Sequence, residues 1–143
     1  MTDINIIYDS ENSNYIVKSC NNNLYLQIDH AFYGKNDIDY FSEIDNISVS
    51  NIKSIEKEII SLCKPYMVKN SNYGFKSMVK NNTIFLDSKD CKKILDKNYD
   101  QINKDKLKLN SVYKIIFSIP TVNIDNINNK IILNKKLYLV IET

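Results

Sequence analysis

The chain of 143 residues has no tryptophan, two glycines and one histidine, and all 19 of its basic residues are lysines. Two glycines are too few for the glycine-rich loops that hold nucleotide phosphates, and a single histidine excludes metal sites built on two histidines. The three cysteines, Cys20, Cys63 and Cys91, are too far apart for zinc ligands or a disulfide framework, so we expect three buried, reduced thiols. The sequence therefore predicts a protein that is not an enzyme and that needs no cofactor and no metal.

Long apolar runs are also missing. No stretch approaches the roughly 18 consecutive apolar residues of a membrane-spanning helix, and the N-terminal residues lack the basic start and apolar run of a signal peptide. We therefore expect an intracellular protein that is not secreted and does not contact a membrane.

The frequent Lys, Asn and Ile residues have A/T-rich codons, which indicates an AT-rich genome such as that of a virus, phage, parasite or low-GC bacterium. A viral protein of this kind would act at the site of viral replication.

Charge is distributed unevenly along the chain. The formal net charge is only +2, but residues 1–59 carry a net charge of −6 and residues 60–143 a net charge of +8. A dipolar chain of this kind can present one basic face to a polyanion. The alternative is that the two halves pair with each other within the fold.

The apolar pattern predicts one strand-dominated α+β domain over residues 1–143, either a small, partly open β-barrel or an antiparallel sheet with two helices. Alternating residues predict strands over 4–8, 15–19, 24–32, 73–80, 83–87, 111–120, 130–133 and 136–142. The Asn-rich turn after Cys20 predicts a hairpin between the second and third strands, and Asn81-Asn82 predicts another. We interpret residues 34–46 as a polar, acidic loop.

Two helices are predicted between the strands. The first lies within "SVSNIKSIEKEIISLCKPY", residues 48–66, where Ser50 is the expected N-cap and Pro65 is expected to end the helix at Lys64. Its apolar residues recur at helical spacing and form one buried stripe: Ile52, Ile55, Ile59, Ile60 and Cys63. The second, over residues 88–98, would be capped by Asp87 or Ser88 and would place Cys91, Ile94 and Leu95 inward.

The best enzymatic candidate is a carboxylate cluster in the acidic loop, formed by Asp37, Asp39, Glu43 and Asp45. Closely spaced carboxylates can hold Mg²⁺ for phosphodiester cleavage, because this hard cation prefers oxygen ligands. The alternative interpretation is a solvated loop.

Aromatic and lysine residues on the strands suggest binding of single-stranded nucleic acid, in which rings stack on bases and lysines neutralise phosphates. In the strand over 73–80, Tyr73, Phe75 and Val79 share one face, while Lys76 and Lys80 share the other. Ring and lysine side chains could line one groove if the strand bends at Gly74; otherwise Phe75 belongs to the core. Further along the chain, Tyr113 is expected in the core, with Lys114 opposite it. Tyr138 is expected to be the exposed ring after Lys136, and a lysine-rich ridge follows residue 88.

Residues 72–143 resemble the core of single-stranded DNA-binding proteins with an oligonucleotide-binding fold from large DNA viruses and phages. The resemblance lies in "NYGFKSMVKNNTIFLD", "INKDKLKLNSVYKIIFSIPTVNI" and "NKKLYLVIE". It implies that Tyr73, Phe75, Lys76 and Lys80 lie on the binding groove, with Lys114 and Tyr138 nearby. Lys136, which comes just before Tyr138, is predicted to contact nucleic acid as well. The chain lacks the acidic tail of many such proteins, and residues 1–60 match no pattern of this family.

The leading hypothesis is therefore a non-enzymatic protein that binds single-stranded nucleic acid. The alternative is a viral or parasite interaction module, such as a virion component, an assembly factor or a host-factor antagonist. Its partner would be a second copy of the chain or another protein, and the acidic residues 37–45 could be the contact surface.

Overall fold

Strands dominate the computed structural model, which describes residues 3–68 and 72–143, so the predicted α+β class is confirmed. Within these residues one α-helix, α1, spans Asn46–Cys63, and single-turn 3-10 helices span Lys64–Tyr66, Ser88–Asp90 and Lys104–Lys106. The strands of the described residues are β1 (Ile4–Asp9), β2 (Asn14–Ser19), β3 (Asn22–Asn23), β4 (Tyr25–Lys35), β5 (Asp39–Ser42), β6 (Gly74–Phe75), β7 (Val79–Lys80), β8 (Thr83–Phe85), β9 (Lys93–Leu95), β10 (Val112–Ser118), β11 (Thr121–Asp125), β12 (Lys130–Leu133) and β13 (Lys136–Glu142).

The strands form two sheets. Sheet A has the order β1-β2-β11-β12-β6, with β3 added to β2, and sheet B has the order β7-β8-β5-β4-β10-β13-β9. Two pairs are parallel, β6 with β12 and β9 with β13, so both sheets are mixed where we expected an antiparallel sheet. Within the described residues neither sheet closes into a barrel.

The core lies between the two sheets and α1. The predicted alternation of β10 is confirmed, since Tyr113, Ile115 and Phe117 are fully buried on its inner face. Buried residues of both sheets and of the helix belong to one hydrophobic cluster. Burying each large apolar side chain stabilises the fold by about 1.5–3 kcal/mol relative to exposure, so this cluster is its main source of stability.

Helix α1 begins earlier than predicted, and of the predicted stripe it buries three residues fully and two, Ile55 and Ile60, in part. Ile52, Ile59 and Cys63 are fully buried, and the helix ends just before Pro65, which removes a backbone donor. A charged residue also lies on the buried face. The Glu56 carboxylate accepts hydrogen bonds from Ser77 Oγ and from the backbone N–H of Met78, both at 2.7 Å, and so anchors the chain ahead of β7.

The N-cap of α1 is Asp45, so the prediction of Ser50 was wrong. Asp45 Oδ2 accepts the Ser48 N–H at 3.0 Å, and Oδ1 accepts the His30 N–H of β4 at 3.3 Å. Ser48 Oγ accepts the Asp29 N–H at 3.2 Å. Burial alone would raise the pKa of the Asp45 carboxyl, but the hydrogen bonds from Ser48 and His30 outweigh it and lower that pKa. One carboxylate therefore fixes both the start of the helix and the middle of β4.

The predicted acidic loop over residues 34–46 contains strand β5, which pairs with β4 and β8. Asp39 in this strand is buried, with 5% of its surface exposed. Its Oδ1 accepts the Tyr33 hydroxyl at 2.7 Å and its Oδ2 accepts the Ser88 N–H at 2.8 Å. Burial by itself would raise the pKa of Asp39, yet these hydrogen bonds hold it below the usual value. The loop prediction was wrong because such satisfied carboxylates can be buried.

The predicted helix over residues 88–98 was also wrong. A 3-10 turn capped by Asp87 is followed by β9, which pairs with β13 on the side opposite β10. Ile94 is buried, as predicted, but from a strand. The spacings of three and four residues are helical, but periodicity in so short a segment is weak evidence, and the tertiary pairing with β13 overrides it.

Two hairpins were predicted only in part. β2 turns through Cys20 and Asn21, both with positive φ, into the short β3, whereas β4 passes into sheet B. The predicted strand over 73–80 is divided, since β6 pairs in sheet A and β7 in sheet B. The turn at Asn81-Asn82 is confirmed, and both residues have positive φ. β11 was not predicted.

The cysteines are all free thiols, but the prediction that all are buried was wrong. Cys20 is exposed in its turn, and Cys91 is partly exposed. Cys63 is buried against the core, where desolvation raises the pKa of its thiol to about 11. No helix in the described part of the chain has both the length and the apolar character to cross a membrane.

Replacing Asp45 with alanine tests the helix cap. We expect Asp45→Ala to lower the free energy of unfolding by about 1–2 kcal/mol, because it removes an N-cap acceptor. Ser50→Ala, at the position that sequence alone favoured, should change it by less than about 0.5 kcal/mol. Urea unfolding of the two variants beside the wild type measures the difference, and equal effects would contradict the assignment of the cap.

Asp39→Asn tests the buried carboxylate through pH. Because the folded-state pKa of Asp39 is lowered, its stabilising contribution is complete above the unfolded value of about 3.9 and is lost as pH falls through the folded value. The variant should be less stable than the wild type near neutral pH. The difference in the free energy of unfolding between the two proteins should decrease below about pH 4. Urea midpoints of both proteins are measured across this pH range. A difference in midpoint that does not change with pH would contradict a stabilising role of the ionised Asp39 carboxylate.

Candidate nucleic-acid interface

Two tyrosines stand in contact on the outer face of sheet B. The ring centroids of Tyr25 and Tyr138 are 4.9 Å apart, and the ring planes are inclined by 48°. The side chains remain 44% and 39% exposed, respectively. Mutual contact restricts both rings, so a flat ligand would stack on them at a reduced entropic cost.

A β-bulge gives Tyr138 its position. Ile116 of β10 pairs with Leu139, whereas the next residue, Phe117, pairs with Leu137, which leaves Tyr138 as an extra residue in β13. A bulge re-aims side chains in this way. Tyr138 therefore faces outward while Leu137 on one side and Val140 further along are both buried.

The tyrosine pair forms one wall of a groove with a volume of about 410 Å³. Lys92 and Lys136, both exposed, contribute positive charge, and Asp90 contributes a carboxylate. The remaining lining residues are Asn23, Ser118, Pro120 and Leu137. The Lys92 N–H donates to the Tyr138 carbonyl oxygen at 3.0 Å, which holds the segment that carries this lysine against β13.

A basic ridge continues from this groove along the edge of sheet B. Its seven lysines are all exposed: Lys89, Lys92, Lys93, Lys97, Lys104, Lys106 and Lys108. Two of the acids in the same segment use a carboxylate oxygen within their own turns. Asp96 Oδ1 accepts the N–H groups of Asn98 and Asp100, and Asp87 Oδ1 accepts the Lys89 N–H. These bonds fix the positions of the two carboxylates but do not remove their charge, and the seven lysines outnumber the five acids between residues 87 and 105, so the segment keeps a net positive charge.

Four of the seven residues predicted for the site share this outer face. Lys136 and Tyr138 lie at the groove. Lys114 lies in the middle of β10, opposite a second bulge formed by Asp29 and His30. Lys80 lies at the far side, where it pairs with Thr83 while the neighbouring Val79 is buried.

The other three predicted residues belong to sheet A. Phe75 pairs with Ile131 and packs against the core, and the Tyr73 hydroxyl donates to Asn126 Oδ1. Lys76 is exposed just beyond β6. Gly74 has no positive φ, and the chain leaves the strand after Phe75 rather than bending at Gly74. The structure therefore does not bring these residues to the tyrosine groove.

The carboxylates proposed for Mg²⁺ are also dispersed. Asp39 and Asp45 accept the structural hydrogen bonds described above, while Asp37 and Glu43 are exposed. No group of three or more His, Cys, Asp or Glu side chains in the part of the chain that the structure describes has an arrangement suited to a metal ion.

Tyr25 is the main site residue that the sequence reasoning missed. The alternation of buried Leu26 and Ile28 with exposed Tyr25 and Gln27 could have indicated it. The bulge that brings Tyr138 beside Tyr25 has no signal in a single sequence, because it depends on the register between two strands.

Comparison of the chain with protein-family models, with curated protein sequences and with solved structures found no significant match.

Proposed function

We propose that the protein binds single-stranded nucleic acid at the groove formed by Tyr25, Tyr138, Lys92 and Lys136. The observation that carries the proposal is the exposed, mutually packed tyrosine pair in a groove that two lysines also line. Bases stack on aromatic rings with about 1–3 kcal/mol each, and lysines neutralise the phosphates that connect them. The combination supplies the two interactions that binding without sequence preference requires.

The charge of the chain fits a binder that makes few phosphate contacts. The net charge is only +2, and Asp90 lies in the groove itself. Affinity should therefore depend strongly on stacking, with a moderate dependence on salt. Failure of an oligonucleotide to bind even at low ionic strength would overturn the proposal.

A protein partner is the second candidate, and the edge of sheet A favours it. Strand β1 is the terminal strand of that sheet, and its Ile7 and Tyr8 are 50% and 57% exposed. An edge strand can accept a strand from another chain. Light scattering that shows a stable dimer, together with no binding of oligonucleotide, would favour this function.

Tyr138→Ala tests the stacking contact. We expect it to weaken binding of an oligothymidylate by about 5- to 100-fold, which corresponds to the loss of one stacked base. Tyr138→Phe keeps the ring and should bind nearly as the wild type does. Because the chain has no tryptophan, quenching of tyrosine emission during a titration at low salt measures the affinity. Equal affinity of the alanine variant and the wild type would exclude this groove.

Lys136→Ala tests the phosphate contact, and Lys76→Ala is its matched control. The logarithm of the binding constant falls linearly with the logarithm of salt concentration, and removing one lysine that contacts a phosphate reduces the slope by about 1. Lys76, at sheet A, should leave the slope unchanged. Equal slopes for Lys136→Ala and the wild type would contradict a phosphate contact at this position.

A further inference from the structure

The outer face of sheet B carries exposed and partly exposed aromatic rings well beyond the groove. They follow strand β4 from its beginning at Tyr25 to its end, where the strand lies beside β5. His30 and Phe32 contact each other edge to face with centroids 5.5 Å apart, and Tyr40 and Phe85 do so at 6.2 Å. Together with Tyr25 and Tyr138 they make three pairs of rings.

The bulge in β4 places the rings on one side. Leu26 and Ile28 point into the core before the bulge, and Ala31 and Tyr33 do so after it. The extra residue opposite Lys114 changes the alternation, so that His30 and Phe32 join Tyr25 on the outer face.

Gly34 extends this face to the next strand. A Cβ atom at Gly34 would lie 2.3 Å from Cζ of the Tyr40 ring. The ring of Tyr40 therefore lies over the glycine backbone, where it meets Phe85 of β8. Phe85 is 49% exposed and so is available to a ligand.

Lysines alternate with the rings along the same face. Lys92 and Lys136 lie at the Tyr25 end, Lys114 lies beside the bulge, and Lys80 lies beyond Phe85. Opposite Lys114, the exposed Asp29 adds one carboxylate. A row of rings with lysines at its two ends and in the middle is complementary to a chain of bases joined by phosphates.

We propose that a single strand of nucleic acid runs along β4 on the outer face of sheet B, from the Tyr25–Tyr138 groove across Phe32 to the Tyr40–Phe85 pair. This inference rests on the proposed function. It adds the route of the bound strand across the sheet and the length of the segment that is bound. Nine residue steps from Tyr25 to Gly34 span about 30 Å at about 3.3 Å per residue. At the stacked spacing of about 3.4 Å per nucleotide this length holds about nine nucleotides, and an extended strand would fill it with fewer.

A length series of oligothymidylates tests the path with Phe85→Ala. Oligonucleotides of about 2 to 16 nucleotides are titrated against the wild type and the variant at low salt. Affinity of the wild type should rise with length and level off between about 4 and 9 nucleotides. Phe85→Ala should leave the shortest oligonucleotides unaffected and weaken the longer ones by about 5- to 100-fold.

Three further variants sharpen the test. Phe85→Tyr keeps the ring and should bind like the wild type, and Tyr66→Ala removes a ring that contacts Tyr15 in sheet A and should have no effect at any length. Gly34→Ala displaces the Tyr40 ring without removing it, and it should reproduce the loss for long oligonucleotides. Circular dichroism of each variant checks that the fold is retained.

The outcomes separate this inference from the proposed function. If short and long oligonucleotides bind equally and Phe85→Ala has no effect, the site is confined to the groove and the path is wrong. If affinity rises with length equally in Phe85→Ala and the wild type, the strand leaves the groove in another direction, which also overturns the path. If no oligonucleotide binds at any length, the proposed function itself is wrong.

Discussion

The bulge of β4 sets which residues the outer face of sheet B presents, and the Asp45 carboxylate holds the chain at that bulge. One oxygen caps helix α1 through Ser48, and the other holds the His30 N–H at the bulge of β4. Without the extra residue in the strand, the alternation of β4 would turn Phe32 toward the core and Tyr33 toward solvent. The bulge thus sets which residues of β4 are available to a ligand and which are buried, and the contact with the start of α1 stabilises the chain at this point.

The elements that the sequence predicted well are those whose pattern is set by burial alone. Helix α1 has a stripe of isoleucines at helical spacing, and β10 alternates from Val112 to Phe117 between more exposed and buried residues. Because Tyr113, Ile115 and Phe117 face one continuous core, their period of two is sufficient to identify both the strand and its inner face.

Elements that depend on long-range partners were mispredicted. Asp39 resembles a residue of a solvated loop until its two hydrogen bonds, to Tyr33 and Ser88, are known. The segment of β9 has helical spacing but pairs with β13, more than forty residues later in the chain. For the candidate site, Lys136 and Tyr138 were predicted on the exposed side of their strand. The sequence left two positions open for Phe75, in a groove or in the core, because it does not indicate that the chain changes sheets between β6 and β7.

The attachment of β9 has a consequence for the dynamics of the groove. This strand has three residues, lies at the edge of sheet B and pairs parallel with β13 across a long separation in sequence. Such elements open at a lower free energy than the central strands, and their amide protons exchange with solvent earlier. The Lys92 N–H that bonds to Tyr138 belongs to the same attachment. The wall that carries Lys92 is therefore the part of the groove best able to detach from and return to the sheet while the rest of the core stays closed.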